Sequence, residues 1–119
     1  MGHEFNLNQI GFYQLENLIL QRVPFKLILF AEKSELINLF QHLNPYYLNF
    51  LDGQIETFNY ENEFEKKLND GLFNKEQPMV IVCPDGKISE SIIFHLEKLN
   101  FINYYWIPKG LKDLRTDKM

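Results

Sequence analysis

Apolar residues recur along this chain in two periods that alternate. Phe12, Leu15, Leu18 and Ile19 fall at helical spacing and predict an amphipathic helix over 12–22, stopped by Pro24. Lys26-Leu27-Ile28-Leu29-Phe30 is instead a nearly continuous apolar run of strand length, as expected of a strand covered on both faces. A second helix begins at Ser34 as N-cap, carries Leu36, Ile37, Phe40 and Leu43 as its apolar stripe, and ends at Asn44-Pro45. Residues 46–51 read either as a strand or as a packed loop, and Asp52-Gly53 turns the chain. Ile55, Thr57 and Phe58 mark a short strand, and Phe64 and Leu68 a helix near 62–72. After the loop Lys75-Glu76-Gln77-Pro78, residues 79–83 form a second continuous apolar run. Ile88, Ile92, Leu96 and Leu99 stripe the next helix, 103–107 is a further strand, and a short terminal helix covers 110–115. Residues 5–10 make a short extended start.

Strands and helices thus alternate with short connections. The pattern predicts one α/β domain over residues 1–119, with a central, mainly parallel sheet of about five strands and helices on both faces. The strands near 26–30, 55–59, 79–83 and 103–107 are expected to be adjacent or nearly so. Met1-Gly2-His3 reads as a cloning remnant and receives no role.

Composition narrows the function classes. A net charge of −4 argues against nucleic-acid binding by general electrostatics. No apolar run approaches the roughly 20 residues of a membrane span, and no basic-then-apolar leader is visible. The single cysteine permits no internal disulfide, which suits a cytoplasmic protein. With one cysteine and unclustered histidines, a zinc site is not expected. His42 and His95 read as surface residues, His95 because it falls outside the 88, 92, 96, 99 stripe.

The candidate chemistry lies where the second apolar run meets a turn and a helix: Val82-Cys83-Pro84-Asp85-Gly86-Lys87-Ile88-Ser89. Ligands of parallel sheets bind beyond the carboxyl ends of the strands, and Cys83 is at such an end. The free amides and dipole of a helix start favour negative charge there, and hence the thiolate that attacks and carries sulfur. A turn curled around the sulfur would aim the amides of 84–89 at it as an anion nest, leaving Cys83 on the floor of a shallow pocket. Lys87 adds positive charge at the rim, and Asp85 opposes it. The blander reading is that Cys83 is a small buried hydrophobe ending a core strand.

The stretch 79–114 resembles the C-terminal half of a rhodanese-like domain. Cys83, Gly86 and Ser89 match that family's Cys-x-x-Gly-x-Arg-Ser/Thr loop. Leu99-Asn100-Phe101-Ile102-Asn103-Tyr104-Tyr105 matches the approach to its next strand, and Gly110-Leu111-Lys112-Asp113-Leu114 its final segment. The resemblance implies a sulfurtransferase. Catalytic Cys83 would take sulfane sulfur from a small anionic donor as a persulfide and pass it to a thiol, cyanide or a protein acceptor. Pro84, Asp85, Gly86, Lys87, Ile88 and Ser89 would bind the substrate. Neither cofactor, metal, nucleic acid nor membrane is implied. The chain departs from the family at Ile88, where the loop arginine belongs, and at Phe30-Ala31-Glu32, where the family has Asp-x-Arg. The family's Gly-His-Ile turn is matched best by Gly53-Gln54-Ile55, with Gln41-His42-Leu43 as the other candidate. These departures keep open a second reading, a weak or inactive rhodanese-like module that binds a protein or senses oxidants. A cysteine phosphatase needs Cys-x5-Arg, and no arginine occurs between 83 and 114. A phospho-receiver needs an aspartate where Asn59 or Tyr60 stands.

Overall fold

The computed structural model describes residues 8–118. In chain order they form α1 (Phe12–Gln21), β1 (Lys26–Leu29), α2 (Lys33–Ile37), a single 3₁₀ turn (Asn38–Phe40), α3 (Pro45–Gln54), β2 (Ile55–Thr57), α4 (Glu61–Asn69), β3 (Met79–Val82), α5 (Lys87–Lys98), β4 (Tyr104–Trp106) and α6 (Leu111–Lys118). The strands pair in parallel in the order β2-β1-β3-β4. Leu27 stands between Ile55 and Val80, and Ile81 stands opposite Trp106.

The two apolar runs of the sequence are the two central strands, and strand alternation splits them between two cores. Leu27, Leu29, Val80 and Val82 face α1, α2, α3 and α6, where they meet Leu15, Ile19, Leu36, Leu51 and Leu114. Ile28, Ile81 and Cys83 face α4 and α5, where they meet Phe64, Leu68, Ile92, Ile93 and Leu96. Burial on both faces is why β1 and β3 carry no polar alternation.

Three expectations need correction. The sheet has four strands among the described residues, not about five. Part of the expected extended start, 5–7, lies outside those residues, and within residues 8–10 there is only an isolated parallel bridge, Gln9 to Trp106. Backbone bonds from Trp106 N to Asn8 O and from Ile10 N to Trp106 O, both 2.9 Å, complete that contact. The chain then leaves the sheet edge because α1 starts at Phe12.

Secondly, residues 46–53 are neither strand nor loop but most of α3. Asn44-Pro45 does not end a helix; it begins one. The Asn44 side chain accepts a hydrogen bond from Tyr46 N at 2.9 Å, and Pro45 occupies the first turn, where its missing N–H costs nothing. Asp52-Gly53 is therefore the last turn of a helix, and Leu51 is its buried anchor. Removal of this cap in Asn44→Ala is expected to cost about 0.5–2 kcal/mol, read as a lower urea midpoint with an unchanged slope.

Thirdly, Ser34 is not an N-cap. Glu32 holds that position, and its N–H donates to Glu35 Oε2 at 3.1 Å.

Candidate functional site

The strand order places β1 and β3 side by side at the centre, with the chain crossing outward to β2 before it returns to β3. The carboxyl ends of such a pair are where a crevice opens in parallel sheets. Cys83 follows β3 at that point. It continues the alternation of Met79 and Ile81, so its side chain turns toward α4 and α5 and is fully buried.

Two polar groups reach the sulfur. Gly86 N–H donates to Cys83 Sγ at 2.9 Å, and the Ser89 hydroxyl lies 3.2 Å away. Ser89 is itself 0% exposed, on the first turn of α5. The amide of Lys87 does not turn to the sulfur; it donates to Asp85 Oδ1 at 3.1 Å. Pro84, Asp85 and Lys87 are exposed, and Ile88 packs half-buried against the apolar cluster that holds Cys83. The shallow pocket expected around Cys83 is thus a closed one. The sulfur lies beneath α5 rather than on an open floor, because alternation drives the side chain into the core on that face.

The loop is locked from the other side by the turn before α6. Gly86 has φ +90°, and a Cβ there would stand 1.8 Å from Pro108 O. Gly110 has φ +59°, and a Cβ there would stand 1.6 Å from Cys83 O. Through this contact Leu111 N donates to Cys83 O at 2.9 Å and Lys112 N to Pro84 O at 3.3 Å. The first amides of α6, which have no partner within their own helix, thus hold the carbonyls of the cysteine loop. The sequence marks Gly86 as a turn residue. The matching demand on Gly110 is not visible there, because its partner is 27 positions away.

A cleft of ≈ 370 Å³ opens at the same strand ends. Its lining includes Phe30 and Glu32 after β1, Phe58 and Asn59 after β2, and Pro84 beside the cysteine. Phe30-Ala31-Glu32, where an Asp-x-Arg would stand in the resembled family, thus forms one wall.

Other residues singled out by sequence are placed elsewhere. Gln54 of Gly53-Gln54-Ile55 accepts from Phe25 N at 3.2 Å, ahead of β1 and so at the opposite end of the sheet from Cys83. His42 is exposed and pairs with Glu16 at 2.5 Å. His95 does not face outward as expected. It turns partly under α4, with Nδ1 4.0 Å from Glu65 Oε1 and a buried Nε2 that has no hydrogen-bond partner. Tyr104 and Tyr105 are half-buried in the edge strand, and Trp106 is buried. Among the described residues no three His, Cys, Asp or Glu side chains gather as metal ligands, and no helix is long and apolar enough to cross a membrane.

No protein-family model and no curated protein matches this chain. Solved structures do. SSP1007 of Staphylococcus saprophyticus is 21% identical, with a TM-score of 0.58 over 87% of this chain and 89% of its own. A rhodanese-like domain protein of Staphylococcus aureus is 20% identical, with a TM-score of 0.59 over 89% of each chain. Likeness at this identity speaks to fold alone, and it agrees with the parallel sheet and its flanking helices. In fold, this chain is similar to a rhodanese-like domain protein.

Proposed function

We propose that the chain is a sulfur carrier of the rhodanese type, with Cys83 as the nucleophile. The observation that carries this reading is the pair of polar groups on one sulfur, the Gly86 N–H donating at 2.9 Å and the Ser89 hydroxyl 3.2 Å away, at the carboxyl end of a central strand. Toward a thiolate, which has no proton to give, both groups donate; both are neutral and buried, so they stabilise a sulfur anion without neutralising it. In the first half-reaction the Cys83 thiolate attacks the sulfane sulfur of a donor. The donor S–S bond breaks, its electron pair leaves with sulfite or a thiolate, and Cys83 keeps the sulfur as a persulfide. In the second, an acceptor thiolate or cyanide attacks the outer sulfur and Cys83 leaves as thiolate. No net oxidation occurs in either step, and the reaction needs no cofactor.

The full burial of Cys83 favours a second reading, an inactive module, since a reactant reaches the sulfur only if the loop or the cleft wall moves. Mass spectrometry after exposure to a persulfide donor separates the two. A gain of one sulfur at Cys83 is expected, and no gain with any donor would leave the inactive module as the better account.

Thiosulfate is expected to be a poor donor. Its sulfonate end calls for a fixed cation. Ile88 supplies none, and Lys87 is exposed and within 4.0 Å of Asp85. A charge-assisted hydrogen bond contributes roughly 1.5–3 kcal/mol, or about ten- to a hundred-fold in rate when it is felt only in the transition state. Ile88→Arg is therefore expected to raise persulfide formation from thiosulfate by about that factor and to leave an uncharged donor nearly unaffected. Equal gains with both donors would contradict the argument.

A further inference from the structure

The cleft beside Pro84 has an electrostatic character of its own. The charged side chains lining it are Glu32, Lys33 and Glu35. Lys33 Nζ is drawn to Asp52, 3.2 Å away, and also reaches its carbonyl at 3.4 Å. Glu35 is paired with Arg115 at 3.4 Å and accepts the N–H of Glu32. Glu32 is exposed and has no ion-pair partner among the described residues. Lys87, Lys109 and Lys112, the lysines on or against the cysteine loop, do not line the cleft. The charge left over at its wall is negative, and the rest of the lining is mixed, with Phe30, Phe58 and Pro84 beside the polar Thr57 and Asn59.

Building on the sulfur-carrier reading, we infer that this cleft is the way to Cys83 and that it selects organic sulfur compounds whose substituent carries an amine, with the Glu32 carboxylate as the group that discriminates. An inorganic dianion would meet an unpaired carboxylate and no free cation. A short aminoalkyl persulfide would place its ammonium at Glu32 and its carbon chain along Phe30 and Phe58. The chemistry is the exchange already described: the thiolate takes the outer sulfur, the S–S bond breaks, and the aminoalkyl thiolate leaves.

Two sets of probes test this, the first of them separately from sulfur transfer. The first is a pair of thiol reagents, 2-aminoethyl and 2-sulfonatoethyl methanethiosulfonate. With each, the Cys83 thiolate attacks the sulfenyl sulfur, a mixed disulfide forms and methanesulfinate leaves. Each rate is divided by that of the same reagent with free mercaptoethanol. The ratio is expected to favour the amine by about three- to tenfold at low ionic strength, to fall with added salt, and to drop to within about twofold of one in Glu32→Gln. A normalised ratio at or below one, a preference indifferent to Glu32→Gln, or a Cys83 that neither reagent reaches in the folded protein would each overturn the inference. The second pair is cysteamine persulfide and 3-mercaptopropionate persulfide, scored by sulfur gained at Cys83, where the amine is expected to be the faster donor. A charge preference with the reagents but no sulfur from either donor would uphold the cleft's selectivity and sink the carrier reading alone.

Discussion

Replacing Gly110 with alanine will unfasten the cysteine loop and cost the protein a large part of its stability. An L-residue at φ +59° costs roughly 1–2 kcal/mol before any clash is counted. The added methyl would also fall 1.6 Å from Cys83 O and 2.7 Å from its carbonyl carbon, both backbone atoms that cannot turn aside. To make room, the loop must withdraw and give up the bond from Leu111 N to Cys83 O, worth about another 0.5–1.5 kcal/mol. The expected loss is about 1.5–3.5 kcal/mol from these two terms alone, measured by urea unfolding. In whatever fraction stays folded, Cys83 should be far more open to alkylation. Gly53→Ala is the control. No atom lies within 4 Å of its added methyl and it stands in the last turn of α3, so that variant should be neutral or slightly stabilised. Wild-type stability in Gly110→Ala, with Cys83 still shielded, would show that the glycine pair does not lock the loop.

Cys83→Ser should abolish sulfur uptake from every donor while leaving the fold in place. Serine differs by one atom, and its hydroxyl keeps Gly86 N–H and Ser89 as partners in the buried site. The chemistry has no second route, because Cys83 is the only cysteine in the chain. The test is the mass of the protein after donor exposure, with the unfolding midpoint as the check that the variant is folded. A persulfide-sized gain in the serine variant would place the sulfur elsewhere and refute the assignment of Cys83.

These two predictions depend on different layers of information. The cysteine, the glycine turn and the helix start are consecutive, so the spacing of residues 83–89 displays them directly. The same holds for the central strands. Leu27–Leu29 and Val80–Val82 are apolar without a break, and only burial on both faces explains such a run. Sequence was less informative where one residue type serves opposite ends of a helix. Asn44-Pro45 looks like a stop after the stripe ending at Leu43, and the same two residues cap and open α3. His95 fell outside a correctly identified stripe, yet α4 packs over that side of α5 and takes it in.

Local chemistry, then, was written in neighbouring residues: strand or helix, the position of the thiol at a strand end, and the absence of a loop arginine at Ile88. What no window of sequence contains is the meeting of distant segments. Folding brought the 108–110 turn against residues 83–86 closely enough that two glycines are obligatory, buried the sulfur that the turn alone left open, and gathered Phe30, Glu32, Phe58 and Pro84 around one cleft. The reason is physical. Propensity and periodicity act over a few residues, whereas burial, ion pairing and van der Waals exclusion depend on which surfaces the parallel crossovers press together.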